Sequence, residues 1–252
     1  MITDPLFFLV AIPAVLIVGI SKGGFGGGLG LVAVPLLSLV VAPTQAAAIM
    51  LPILCVMDVI ALWGFRGHYD KRNLRILLPA AAIGIGFGAL SFQYLNDHHL
   101  KLMIGAVTLT FCVHWFWQKL SKHKPEPKPA AVGRGSFWGM LAGFTSFSVH
   151  AGGPPMSFYL LPQQLDKTLF VGTTVIFFAT VNLIKLVPYS ALGLLPVASL
   201  TTSLALVPMA IVGVKLGLYL HTRINQTWFY RICYGFLFVT GCKLSWEGVA
   251  AL

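Results

Sequence analysis

The chain reads as an all-α integral membrane protein of two inverted-topology repeats. Each repeat combines a broken helix or re-entrant hairpin with three transmembrane helices, eight to ten helical segments in all. Three observations predict this fold. Hydrophobic residues make up 57% of the sequence and charged residues 10%, with a mean hydropathy of +0.85; soluble domains carry about 25% charged residues. A glycine-rich interruption of an apolar stretch occurs twice, at matching positions. Nine of the 17 Lys and Arg fall in two short loops between apolar spans, residues 66–75 and 119–134, as expected of cytoplasmic loops. That clustering also assigns the net charge of +10 to membrane topology and not to nucleic-acid binding.

A membrane helix needs ~20 mostly apolar residues. Full spans are expected at 46–65, 74–94, 101–118, 168–189, 197–220 and 228–246. Four shorter apolar pieces, 6–21 and 29–42, then 136–149 and 155–163, flank the two glycine breaks in pairs. Each pair reads either as a re-entrant hairpin or as two thin spans. The prolines and charges of residues 119–134, such as Lys124, Pro125, Glu126 and Pro127, form a stiff, solvated linker. The expected units are therefore an N-terminal repeat at 1–120, a cytoplasmic linker at 121–134 and a C-terminal repeat at 135–252.

The repeat rests on register. A shift of 124 residues carries Gly19 to Gly143, the break at 19–30 onto the break at 143–155, and Asp58 onto Asn182. A shift of 129 carries Pro79, Gly84 and Gly88 onto Pro208, Gly213 and Gly217. With the loops bearing Arg66, Lys71, Arg72 and Arg75 and the 119–134 linker inside, the loop of Asn96, Asp97, His98 and His99 lies outside. The 163–167 turn and the Arg223 loop then come out inside, and both termini non-cytoplasmic, which turns the second half upside down relative to the first. Asp4 stands where a signal peptide would carry its basic region, and no cleavage site follows. The chain is expected to be a multi-pass protein of the cell (inner) membrane.

Glycine and proline at this density cannot continue a helix, and a broken backbone inside a bilayer is tolerated only where it is buried in protein or lines a cavity. Paired breaks in two halves point to a transporter's binding site. A half-helix starting within the membrane offers free N–H groups and the positive end of its dipole, which suits an anion. The expected substrate contacts are Ser21, Lys22, Gly26, Gly27 and Gly28 from the first break. From the second come Ser148, His150, Gly152, Gly153 and Pro154, joined by Asn182 and Lys185 of the following span. Ser146 lies in the same neighbourhood. Asp58, central in its span, is either a proton-coupling carboxylate or a structural partner for Lys22. Lys215 snorkels to the cytoplasmic surface. The alternative for the small residues is helix packing alone.

Cys55, Cys112, Cys233 and Cys242 sit in apolar stretches without metal-ligand or C-x-x-C spacing. No Ser-His-Asp pattern, metal cluster or nucleotide loop suggests an enzyme, a metal or a cofactor. The partners expected are the bilayer and a small anion; oligomeric state is left open.

The doubled motif, Gly26-Gly27-Gly28-Leu29-Gly30 leading to Pro35 and Ala151-Gly152-Gly153-Pro154-Pro155 leading to Tyr159-Leu160-Leu161, resembles the TauE/SafE sulfite exporter family, also called the toluene sulfonate uptake permease family. Asn182-Leu183-Ile184-Lys185 before Pro188-Tyr189 and the Pro79 and Pro208 helices carry the resemblance over nearly the whole chain; Leu29 departs from the more usual unbroken glycine run. The resemblance implies secondary transport, in the direction of export, of small sulfur-containing anions such as sulfite, sulfonates or sulfoacetate-like compounds. An anion channel, or a transporter of a small carboxylate, is the competing reading.

Overall fold

The computed structural model describes residues 2–27, 33–37, 40–91 and 127–225, together with residue 113 and scattered helical positions between 227 and 246. All regular structure among these residues is helical. The order is α1 (Pro5–Gly24), α2 (Ala33–Leu37), α3 (Pro43–Gly64), α4 (Lys71–Ser91), α5 (Val132–Val149), α6 (Gly153–Leu160), a 3-10 turn (Leu161–Gln163), α7 (Lys167–Ala191) and α8 (Val197–Arg223). Of these, α1, α3, α4, α7 and α8 are long and apolar enough to cross a membrane. The expected span 101–118, the 96–99 loop and most of the 119–134 linker lie outside the described residues, and 228–246 is described only in part.

Local chemistry starts and stops these helices. Asp4 caps α1 by accepting from Leu6 N at 2.9 Å, and Asp166 caps α7 from Thr168 N at 2.8 Å. At the other end of α8, Lys167 Nζ donates to His221 O at 2.7 Å and to Ile224 O, satisfying carbonyls the helix leaves open.

The two interrupted elements share one design. Each has a long first arm, α1 or α5, of 20 or 18 residues, and a second arm, α6 of 8 residues and α2 described over 5. At 1.5 Å per residue α1 is about 30 Å long, so its break comes at the far end of a full-length helix. The turns close alike: Gly27 N donates to Ser21 O at 3.0 Å and Ala151 N to Thr145 O at 3.1 Å, the six-to-one bond of a left-handed helix cap. Gly26 and His150 hold the positive-φ position at +69° and +54°, and all three residue pairs are separated by the 124-residue shift.

Packing interleaves the halves. The broken helix α1 lies on α8, and the broken helix α5 lies on α4, through seams of small residues. A Cβ on Gly23 would come within 2.4 Å of Val214 O, one on Gly84 within 2.0 Å of Met140 O, and one on Gly143 within 2.1 Å of Ala81 O. The backbones touch, as in small-residue helix pairs of membranes. Gly84→Val or Gly143→Val should therefore force the two helices apart and reduce the yield of folded protein severely. Monodisperse protein recovered after detergent extraction measures this, with the exposed Gly86→Val, which meets nothing within 4 Å, as the control.

The described loops expected inside gather at one end of the bundle. Asn73 and Gln163 exchange amide hydrogen bonds of 2.9 and 3.2 Å, Asp70 N donates to Thr173 Oγ1 at 2.9 Å, and Lys128 N donates to Pro162 O at 3.0 Å. At the other end, Ile2 N donates to Thr202 Oγ1 at 3.0 Å and Ser203 Oγ to Ile49 O at 2.7 Å.

Candidate functional site

Between the two breaks lies a cavity of about 30 Å³ lined by Val18, Lys22, Gly27, Leu54, Ser146, His150, Gly153, Phe178 and Asn182. Both glycine motifs contribute, and α3 and α7 complete the wall. The cavity is small and only partly enclosed.

Two buried lysine side chains stand beside this space, in different company. Lys22 Nζ pairs with Asp58 Oδ1 at 2.7 Å and donates to Leu54 O at 3.3 Å. Asn182 Nδ2 donates to Asp58 Oδ2 at 2.7 Å, so each carboxylate oxygen has one partner. Lys185, fully buried on α7, donates to Ser146 O at 2.9 Å, Ser146 Oγ at 3.1 Å and His150 Nδ1 at 2.8 Å. Three acceptors meet the three N–H bonds of an ammonium, and none of them is a carboxylate.

His150 is fixed by the same network. With Lys185 as an ammonium, Nδ1 accepts, and Nε2 carries the ring hydrogen and donates to Ala47 O at 3.0 Å. With both nitrogens engaged, His150 lines the cavity with its ring and has no free nitrogen for a ligand. Behind it, Tyr189 Oη donates to Phe147 O at 2.7 Å.

The expected contacts divide accordingly. Lys22, Gly27, His150, Gly153 and Asn182 line the cavity; Asp58 and Lys185 stand behind it, against Lys22, Asn182, Ser146 and His150. Ser21, Gly26, Ser148, Gly152 and Pro154 are not on its wall. Ser21 is buried and its carbonyl closes the first turn. Gly26 packs against Phe170 and Thr174, and Gly152 against Ala142 and Ser146. Ser148 bonds back to Phe144 O at 3.0 Å. Gly28 lies outside the described residues. The opening of α6 offers fewer backbone donors than a free helix start, because Pro154 and Pro155 have no N–H. Lys215 is exposed.

Ser146, Val18, Leu54 and Phe178 complete the wall. Ser146 had a signal in the sequence: the 124-residue shift maps Lys22 onto it, as it maps Asp58 onto Asn182. The Lys22–Asp58 pair thus has Ser146 and Asn182 as its counterparts, and Asp58 touches its own counterpart. Among the described residues no three His, Cys, Asp or Glu side chains converge in a way that would hold a metal ion.

A family model described as sulfite exporter TauE/SafE matches residues 11–244. Comparison with curated proteins and with solved structures returned no match.

Proposed function

This chain belongs to the sulfite exporter TauE/SafE family, and we propose that it is a secondary transporter that moves a small sulfur-containing anion, such as sulfite, a sulfonate or sulfoacetate, by alternating access through the cavity between its two helix breaks. It is a multi-pass membrane protein, and its placement in the inner membrane with both termini non-cytoplasmic is part of the same proposal. The observation that carries it is the cavity between the breaks with Lys185 behind it, a buried amino group without a carboxylate beside it. An unbalanced buried charge is unfavourable, and an anion in the cavity balances it. Ser146 links the two, since its Oγ accepts from Lys185 and its residue lines the cavity. Its hydroxyl hydrogen is thereby left to donate to the anion. Lys22, Asn182 and the peptide at Gly153, at the positive end of α6, are the remaining contacts.

Two inverted repeats supply the motion in this reading. The identical turn closures at Gly26 and His150, and the exchange of seams between halves, support a pseudo-twofold axis near the Asp58–Asn182 contact, since residues meet their own counterparts only near such an axis. The amide pair of Asn73 and Gln163 closes one end and the Ser203–Ile49 bond helps close the other. A carrier opens one while the other holds. The seams α1 on α8 and α4 on α5 are the natural rigid units.

Melting of the purified protein should rise with sulfite, sulfonates or small carboxylates. A ligand at 100 times its Kd stabilises by about 2.7 kcal/mol. In liposomes, an internal load of the same anion should accelerate uptake of labelled anion. Absence of stabilisation by every anion tested contradicts the site, whereas flux without counterflow replaces the carrier by a channel.

A further inference from the structure

We infer that the site takes up one proton with each anion, that the proton binds Lys185, and that the Ser146 hydroxyl couples the two events. The inference rests on the proposed anion site and adds to it the coupling ion and its seat.

The contacts of Lys185 fit two protonation states without moving a heavy atom. Ala47 O can only accept, so Nε2 of His150 carries the ring hydrogen, and Nδ1 of the neutral ring offers its lone pair to Lys185 at 2.8 Å. Ser146 O, at 2.9 Å, is also only an acceptor. These two take two N–H bonds of Lys185 in either state. The third contact, Ser146 Oγ at 3.1 Å, is the one that can reverse. As an ammonium, Lys185 donates to it; as an amine, Lys185 keeps a lone pair, and the hydroxyl donates to that lone pair instead. Ser146 can turn in this way because, among the described residues, no helix carbonyl holds its hydroxyl, whereas Ser148 is tied to Phe144 O at 3.0 Å.

Ser146 also lines the cavity. An anion there draws the hydroxyl hydrogen to itself, and the hydroxyl gives it up when a proton from solution binds the Lys185 lone pair. Anion and proton therefore strengthen each other's binding, and a carrier built this way moves both in one direction. The amine is the stronger base of the Lys185–His150 pair, so the proton rests on Nζ. The other ionisable groups facing this place are Lys22 on α1, Asp58 and Cys55 on α3, and Tyr189 on α7. Lys22 and Asp58 satisfy each other at 2.7 Å, and Tyr189 Oη donates to Phe147 O. Asp58 thus serves Lys22, and the coupling proton sits on the opposite half of the site.

Calorimetric titration of methanesulfonate and of acetate into the purified full-length protein, repeated in buffers of different ionisation enthalpy, counts the protons taken up. Neither anion is protonated above about pH 7, so the count belongs to the protein. Between about pH 7 and 9 the count should rise towards one per anion, and affinity should fall by up to roughly tenfold per pH unit, because alkali removes the proton the complex needs. Lys185→Arg holds its charge throughout this range and Lys185→Met never gains one; uptake and pH dependence should vanish in each. If sulfite alone binds, the wild-type count less that of Lys185→Arg should give the same proton. Should one variant fail to fold, the other decides; should both, the wild-type count does. A wild-type count of zero, uptake that persists in either variant, or no excess over Lys185→Arg with sulfite overturns the inference and leaves the anion site standing. Silence from methanesulfonate, acetate and sulfite overturns the anion site and the inference together.

Discussion

Asp58→Asn will destabilise the protein by about 3–5 kcal/mol, and adding Lys22→Met will restore most of the loss. The carboxylate is buried, bonded to Lys22 Nζ at 2.7 Å through one oxygen and to Asn182 Nδ2 at 2.7 Å through the other. With Asn in its place, the Lys22 ammonium keeps only the carbonyl of Leu54, at 3.3 Å, and its charge stays buried without a counter-charge. A single hydrogen bond to a charged group contributes ~1.5–3 kcal/mol, too little to offset that burial. The double variant removes both charges, and an apolar Met stem of similar length fills the site. Chemical or thermal unfolding of the three variants against wild type checks it. Additive losses in the double variant would mean that the pair is not a unit.

Much of this architecture is legible in the sequence because bilayers constrain it so strongly. Hydropathy alone placed the spans now seen as α3, α4, α7 and α8 to within a few residues, and glycine density placed both breaks. The repeat shift did more: 124 residues separate Asp58 from Asn182, which touch, and Lys22 from Ser146, which face one cavity. The opacity began at side-chain direction. Ser146 and Ser148 are alike in type and neighbourhood, yet two residues on a helix point about 200° apart. One therefore reaches Lys185 and the cavity while the other folds back on Phe144 O. His150 looked like a free donor, but its place in the left-handed turn aims one nitrogen at Lys185 and the other at Ala47 O. Lys22 is the sole cation inside either glycine motif, and it is the one with a carboxylate partner. The uncompensated charge lies on α7, outside both motifs, where only packing brings it beside Ser146.

Lys185→Met will weaken anion binding by roughly 100-fold while leaving the fold intact. Losing the ammonium leaves His150 Nδ1 without its donor, which costs about 1–3 kcal/mol. It also removes a buried charge with no carboxylate beside it, which is worth several kcal/mol in the opposite direction. Stability should therefore hold or rise. Binding behaves otherwise, because the anion loses the one charge at the site not already neutralised, and Ser146 loses the donor that polarises its hydroxyl. The decisive measurement is calorimetric titration of sulfite and methanesulfonate into wild type and Lys185→Met, with melting temperatures recorded on the same samples. The account predicts a folded variant, at least as heat-resistant as wild type, with anion affinity lost. A folded variant that binds both anions as tightly as wild type would contradict it.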